Sequence, residues 1–122
     1  MTKKKRQKVY EKTGGHCGYC GMKIDIKDMQ RDHMHPKRLS HLYLGNINDI
    51  DNLMPSCRKC NHYKRAHSVE SFRQLLLTLH GRLEKIYIYE VAVQYGIVKP
   101  QTWDGTFYFE KVNNQIIKTV KK

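Results

Sequence analysis

Cys57-Arg58-Lys59-Cys60-Asn61-His62-Tyr63-Lys64-Arg65 joins a close pair of thiols to a short polar, basic run that can form a helix. Upstream, Cys17-Gly18-Tyr19-Cys20 repeats the spacing. Each pair is already local in the chain, so bringing four sulfurs together costs little conformational entropy. Thiolate is a good ligand for Zn²⁺, and two such knuckles can close a tetrahedral site. A redox pair would need only one of them, set in a βαβ unit. Cys17, Cys20, Cys57 and Cys60 are therefore expected to hold a structural zinc ion.

Between the pairs lies Arg31-Asp32-His33-Met34-His35-Pro36. Asp32 offers a hard oxygen ligand suited to Mg²⁺ or Mn²⁺. His33 is a candidate general base, because imidazole can take a proton from water near neutral pH. Neighbours on a regular strand point to opposite faces. Near a strand end, at the approach to Pro36, the backbone can turn enough for both to serve one site. Asn61 follows a zinc ligand directly, and its amide oxygen could complete the protein ligands of a second ion. Asp32 and His33 alone would equally suit a salt-bridged acid beside a satisfied histidine.

The chain has 122 residues, room for one compact domain with an appendage. So short a chain builds a limited core, and a metal staple matters energetically. Its 23 Lys and Arg against 11 Asp and Glu give a net charge of +12, which favours a polyanion, most simply nucleic acid. No apolar run is long enough to span a bilayer. Thr2-Lys3-Lys4-Lys5-Arg6 is basic but is followed by no hydrophobic run, so it is not a secretory signal. It reads as a solvated tail or a nucleic-acid contact. Paired cysteines without an export signal point to metal ligation in a reducing, cytoplasmic compartment.

Local patterns predict a short helix over Lys8 to Lys12, ended by Gly14-Gly15, and a strand over Met29 to Met34. A loop with a turn at Gly45-Asn46 follows, then a second strand over Ile50 to Met54 that Pro55 stops. A helix opens near Ser56 or Cys57 and carries Asn61, Lys64 and Arg65. Ser68 caps a further helix in which Val69, Phe72, Leu75, Leu76 and Leu79 recur at helical spacing, up to Gly81. Leu83 to Tyr95 suits a helix with Gly96 beyond its end. Thr106 to Val112 alternates like a strand, and Gln115 to Val120 would return as its hairpin partner across Asn113-Asn114.

Cys-x-x-Cys, then Asp-His before a proline, then Asn-Leu, then Cys-x-x-Cys-Asn-x-x-Lys resembles the zinc-bearing HNH endonucleases of the ββα-metal class. The likeness covers roughly the first half of the chain and extends to the stand-alone HNH proteins of phages and mobile elements. It implies an α+β fold: a ββα-metal core stapled by the four-cysteine site, followed by C-terminal helices and a small β-hairpin. Residues 1–80 would form the nuclease core and 81–122 an accessory helix and β-hairpin, separate or packed on the core as one domain. The implied activity is phosphodiester hydrolysis in DNA, by nicking or double-strand cutting. By the same resemblance Asp32 binds the catalytic Mg²⁺ or Mn²⁺, His33 is the base, and Asn52 hydrogen-bonds across the loop between the strands and orients that base. Asn61 takes the last motif position as a metal ligand. Lys64, Arg65 and Arg58 could grip phosphates without reading sequence. The alternative is a zinc-knuckle module that binds nucleic acid without cutting it, and a more distant one is a protein-interaction adaptor.

Overall fold

The computed structural model describes residues 2–113. The described residues divide into two compact units, 2–69 with 106–113, and 70–105. Residues 106–113 belong to the first unit, and the expected boundary at 80/81 falls inside the second.

The first unit opens with α1 (Lys3–Glu11), capped by the Thr2 hydroxyl, which accepts from the Lys5 amide at 3.1 Å. The basic N-terminal run is thus the start of a helix and not a tail. Two of its cations and the C-cap Lys12 end on carbonyl oxygens: Arg6 on Ile26 and Met29, Lys12 on Ile50 and Leu53, Lys5 on Asn48. These bonds stitch α1 across a hairpin-like pair of strands, while Val9 packs beneath.

β1 (Gln30–His33) pairs antiparallel with β2 (Leu53–Ser56), with Asp32 opposite Met54 and His33 opposite Leu53. Pro55 lies inside β2, opposite Arg31, rather than stopping it. In a two-stranded ladder both strands are edges, where proline's missing donor is tolerated. The Pro55 carbonyl accepts from the Gly18 amide at 2.8 Å, which ties the first knuckle to β2. A Cβ on Gly18 would meet the Met54 sulfur at 2.2 Å, so only glycine allows this approach. α2 (Arg58–Lys64) follows, with Cys57 as its N-cap. The two strands and α2 form the ββα arrangement expected from the motif.

The segment expected to be the first strand of a C-terminal hairpin is instead helical over 108–113. Glu110 Oε1 accepts from the Phe107 amide at 2.9 Å, while the Phe107 carbonyl receives the amides of Glu110 and Lys111. This capping outweighs the alternating pattern of the sequence. The second strand expected at Gln115 to Val120 lies outside the described residues. Phe107 is buried and meets Tyr19 edge-on at 5.1 Å, and the Tyr108 and Phe109 amides bond the carbonyls of Tyr19 and Gly18. We expect Phe107→Ala to cost about 3–5 kcal/mol, read as a lower denaturant midpoint.

The second unit holds α3 (Val69–Leu77), α4 (Leu79–Leu83) and α5 (Tyr87–Gln94). The break falls at Thr78 and not at Gly81, which sits inside α4. Thr78 Oγ1 bonds the Gln74 and Leu75 carbonyls and competes with the helical ladder there. α5 ends as expected, with Gly96 at φ 72°.

Candidate metal and nuclease site

The first knuckle is a tight turn. The Cys17 amide bonds the Met22 carbonyl, and the Gly21 amide returns to Cys17, with Gly21 at φ 84°. The second knuckle is the β2–α2 junction, where Cys57 Sγ accepts from the Cys60 amide at 3.4 Å. All four sulfurs lie within 4.8 Å of one another. Cys20 and Cys57 are 3.8 Å apart, matching the edge of about 3.8 Å that a tetrahedron with 2.3 Å Zn–S bonds requires. The donor set fits a metal such as zinc.

The four thiols form one electrostatic unit. A hydrogen bond from Cys60 lowers Cys17 to about 4, and that same bond, aided by burial, raises Cys60. Burial raises Cys20 to about 11. A bound cation would favour the thiolate form of all four.

β1 sends its side chains to two different places. Arg31 and His33 share one face and line an open cleft of about 600 Å³ with Lys5, Lys37, Asn48 and Leu53. Asp32 points the other way, toward α2, and is buried. The turn at Pro36 does not bring both side chains to one surface, because Asp32 and His33 both lie within regular β1.

His33 Nε2 is 2.8 Å from Asn48 Oδ1. An amide oxygen can only accept, so Nε2 carries the proton and Nδ1 keeps the lone pair. Asn48 therefore makes a hydrogen bond that orients the imidazole. Asn52 hydrogen-bonds across the loop between the strands. Its Oδ1 accepts from the His35 amide at 2.8 Å, and its Nδ2 donates to the His35 and Ile47 carbonyls. Asn48 was missed from sequence; its sole signal is the Gly45-Asn46 turn, whose Asn46 side chain accepts from the Asn48 amide at 2.9 Å.

Asp32 is fully engaged. Lys64 Nζ lies 3.1 Å from its Oδ1 and 3.0 Å from its Oδ2, and the Tyr19 hydroxyl donates to Oδ2. Burial raises the Asp32 carboxyl, against the pull of Tyr19 and Lys64. Burial and the Asp32 charge hold Tyr19 protonated, as the donor the pair requires. Lys64 is wholly buried and also donates to the His33 carbonyl at 3.1 Å and the His67 carbonyl at 2.6 Å. Three donors meet protein acceptors, so Lys64 is not the phosphate contact expected of it. It sits three residues after Asn61, on the side of α2 that meets β1. Arg58 and Arg65 are exposed, and Asn61 is half-buried one turn from Lys64.

We expect Lys64→Met to cost about 3–5 kcal/mol, since it leaves a buried carboxylate without its countercharge. Denaturant titration checks this. Adding Asp32→Asn to Lys64→Met should recover part of the loss, and simple additivity of the two would contradict the pairing.

Residues 17–67 match the family model for HNH endonuclease. That span holds both knuckles, both strands and α2. Among solved structures, the Type II-C Cas9 enzyme from Actinomyces naeslundii is similar at 30% identity, with a TM-score of 0.48. The likeness covers 57% of this chain and 8% of that one, so this chain spans a small part of that enzyme's length. No curated protein matches the chain. Among the described residues, no helix is long and apolar enough to cross a membrane.

Proposed function

We propose that this chain hydrolyses phosphodiester bonds in DNA, with His33 as general base and zinc as the ion of the four-cysteine site. The observation that carries this reading is the setting of His33: a polarised imidazole in an open cleft lined by three cations. Nδ1, left with its lone pair, takes a proton from water as that water attacks phosphorus in line. Nearby cations stabilise the charge that develops on the phosphate.

Asp32 and Asn61 are the oxygen donors that would hold a second, divalent ion such as Mg²⁺ or Mn²⁺. Both are hard ligands, right in kind for it. When bound, that ion would neutralise charge on the phosphate and the leaving oxygen. Asp32 now spends both oxygens on Lys64 and Tyr19, so such an ion has to displace the ammonium. Accordingly, Mn²⁺ should raise the melting temperature of Lys64→Met more than that of the wild type.

Supercoiled plasmid incubated with Mg²⁺ or Mn²⁺ tests the reading. Conversion to nicked or linear DNA supports it. Binding that falls steeply with salt, without conversion under either ion, favours the non-catalytic zinc-knuckle module instead. Arg58 and Arg65, exposed on and beside α2, remain available as outer phosphate contacts.

A further inference from the structure

We propose that Lys5, Arg31 and Lys37 form the cradle that seats a nucleic-acid backbone phosphate beside His33. The three come from separate parts of the chain: α1, β1 and the 3-10 helix Lys37–Leu42 that follows β1. The proposal rests on the reading of His33 as the base, and it assigns the phosphate grip to a different face from the α2 cations.

Three observations support it. Among the described residues, those lining the cleft are three cations, His33, Asn48 and Leu53, with no carboxylate. A concave surface of one charge sign focuses its field and concentrates an oppositely charged ligand. Arg31 alternates with His33 on the same face of β1, so its guanidinium and the imidazole share the opening. Arg31 and Lys37 are exposed, and neither side chain makes a hydrogen bond or ion pair among the described residues.

The third observation is Asn48. Its backbone carbonyl accepts from Lys5 Nζ at 2.6 Å, and its side chain holds His33 Nε2 at 2.8 Å. One loop residue thus sets the position of a cation relative to the base. Lys5 spends one of its three donors there and keeps two for a ligand. A backbone phosphate, with two charged oxygens and no base-specific feature, matches a set of donors that come without an orienting acceptor pattern. The cleft therefore takes DNA or RNA by its backbone and does not read sequence.

The test is a salt titration of binding to a fluorescent duplex DNA, in a His33→Ala background so that no cleavage intervenes. Replacing Lys5, Arg31 and Lys37 together by glutamine should reduce the slope of log affinity against log salt by about 1, because one phosphate no longer neutralised releases roughly 0.9 fewer counterions. Affinity at low salt should fall at least tenfold. Lys37→Gln alone, at an exposed position, should lower the slope by a fraction of that and keeps the test open if the triple variant misfolds. The matched control neutralises Lys85 and Lys99, exposed in the second unit. A triple variant with the wild-type slope, or a control that loses as much, overturns the cradle. Failure of the nuclease reading looks different: the slope shifts as stated, while the protein with His33 restored nicks no plasmid.

Discussion

Cys57→Ser is expected to unfold the first unit, and a strong chelator should do the same to the wild type. Cys57 ends β2, caps α2 and supplies one corner of the sulfur cluster. Its loss frees a strand and a helix together. The apolar core of this unit is small: Val9, Ile24, Met29, Leu53, Met54, Tyr19 and Phe107 supply most of it. A four-thiolate zinc site contributes on the order of 10 kcal/mol, comparable to the whole stability of an ordinary domain. The melt followed by circular dichroism should lose its cooperative transition, with metal released in parallel. An unchanged melt after the metal has been stripped would show that the sulfurs do not staple the fold.

His33→Ala should lower plasmid nicking by about 10²–10⁴-fold while leaving the melting curve close to wild type. The asymmetry follows from placement. The imidazole lines an open cleft, and among the described residues its side chain bonds Asn48 alone. Its strand stays anchored by pairing with Leu53 and by the Lys64 bond to the His33 carbonyl. Asn48→Ala should have an intermediate effect. It removes the acceptor that keeps the proton on Nε2, and it leaves the imidazole itself in place. Asn48→Asp should retain more activity than Asn48→Ala, because a carboxylate can accept the same proton. Equal rates for wild type and His33→Ala would end the assignment of the base.

The parts legible in the sequence are those whose signal is local. Two Cys-x-x-Cys pairs need only a short turn each, and the sulfurs do meet. The strand at Arg31 to His33 and the helix after Cys57 follow from flanking proline and capping chemistry. What could not be read depends on contacts distant in the chain. Lys64 looks like one more cation on a basic helix, but its ammonium is buried on an aspartate 32 positions away. The spacing of Lys64 from Asn61 gives its side of the helix and not what that side meets. The N-terminal lysines read as a tail because their carbonyl partners come from loops far along the chain. The alternation in Thr106 to Val112 is real, but Glu110 caps a helix there, and the aromatic rings serve Tyr19 rather than a hairpin face.

Tyr19 makes this long-range dependence concrete. It lies inside the first knuckle, its ring rests on Phe107 and Phe109, and its hydroxyl reaches Asp32. Cysteine spacing identifies the knuckle but not this chain of support. The same carboxylate, assigned to a cation from the motif, stands between a tyrosine and a lysine. The open side of β1 belongs to His33 and its neighbouring cations.

The most direct measurement is a crystal structure of the His33→Ala variant with a DNA duplex and Mg²⁺. A backbone phosphate should sit in the cleft among Lys5, Arg31 and Lys37, with room at position 33 for an imidazole to reach an attacking water. DNA lying along Arg58 and Arg65, with that cleft turned to solvent, would contradict it.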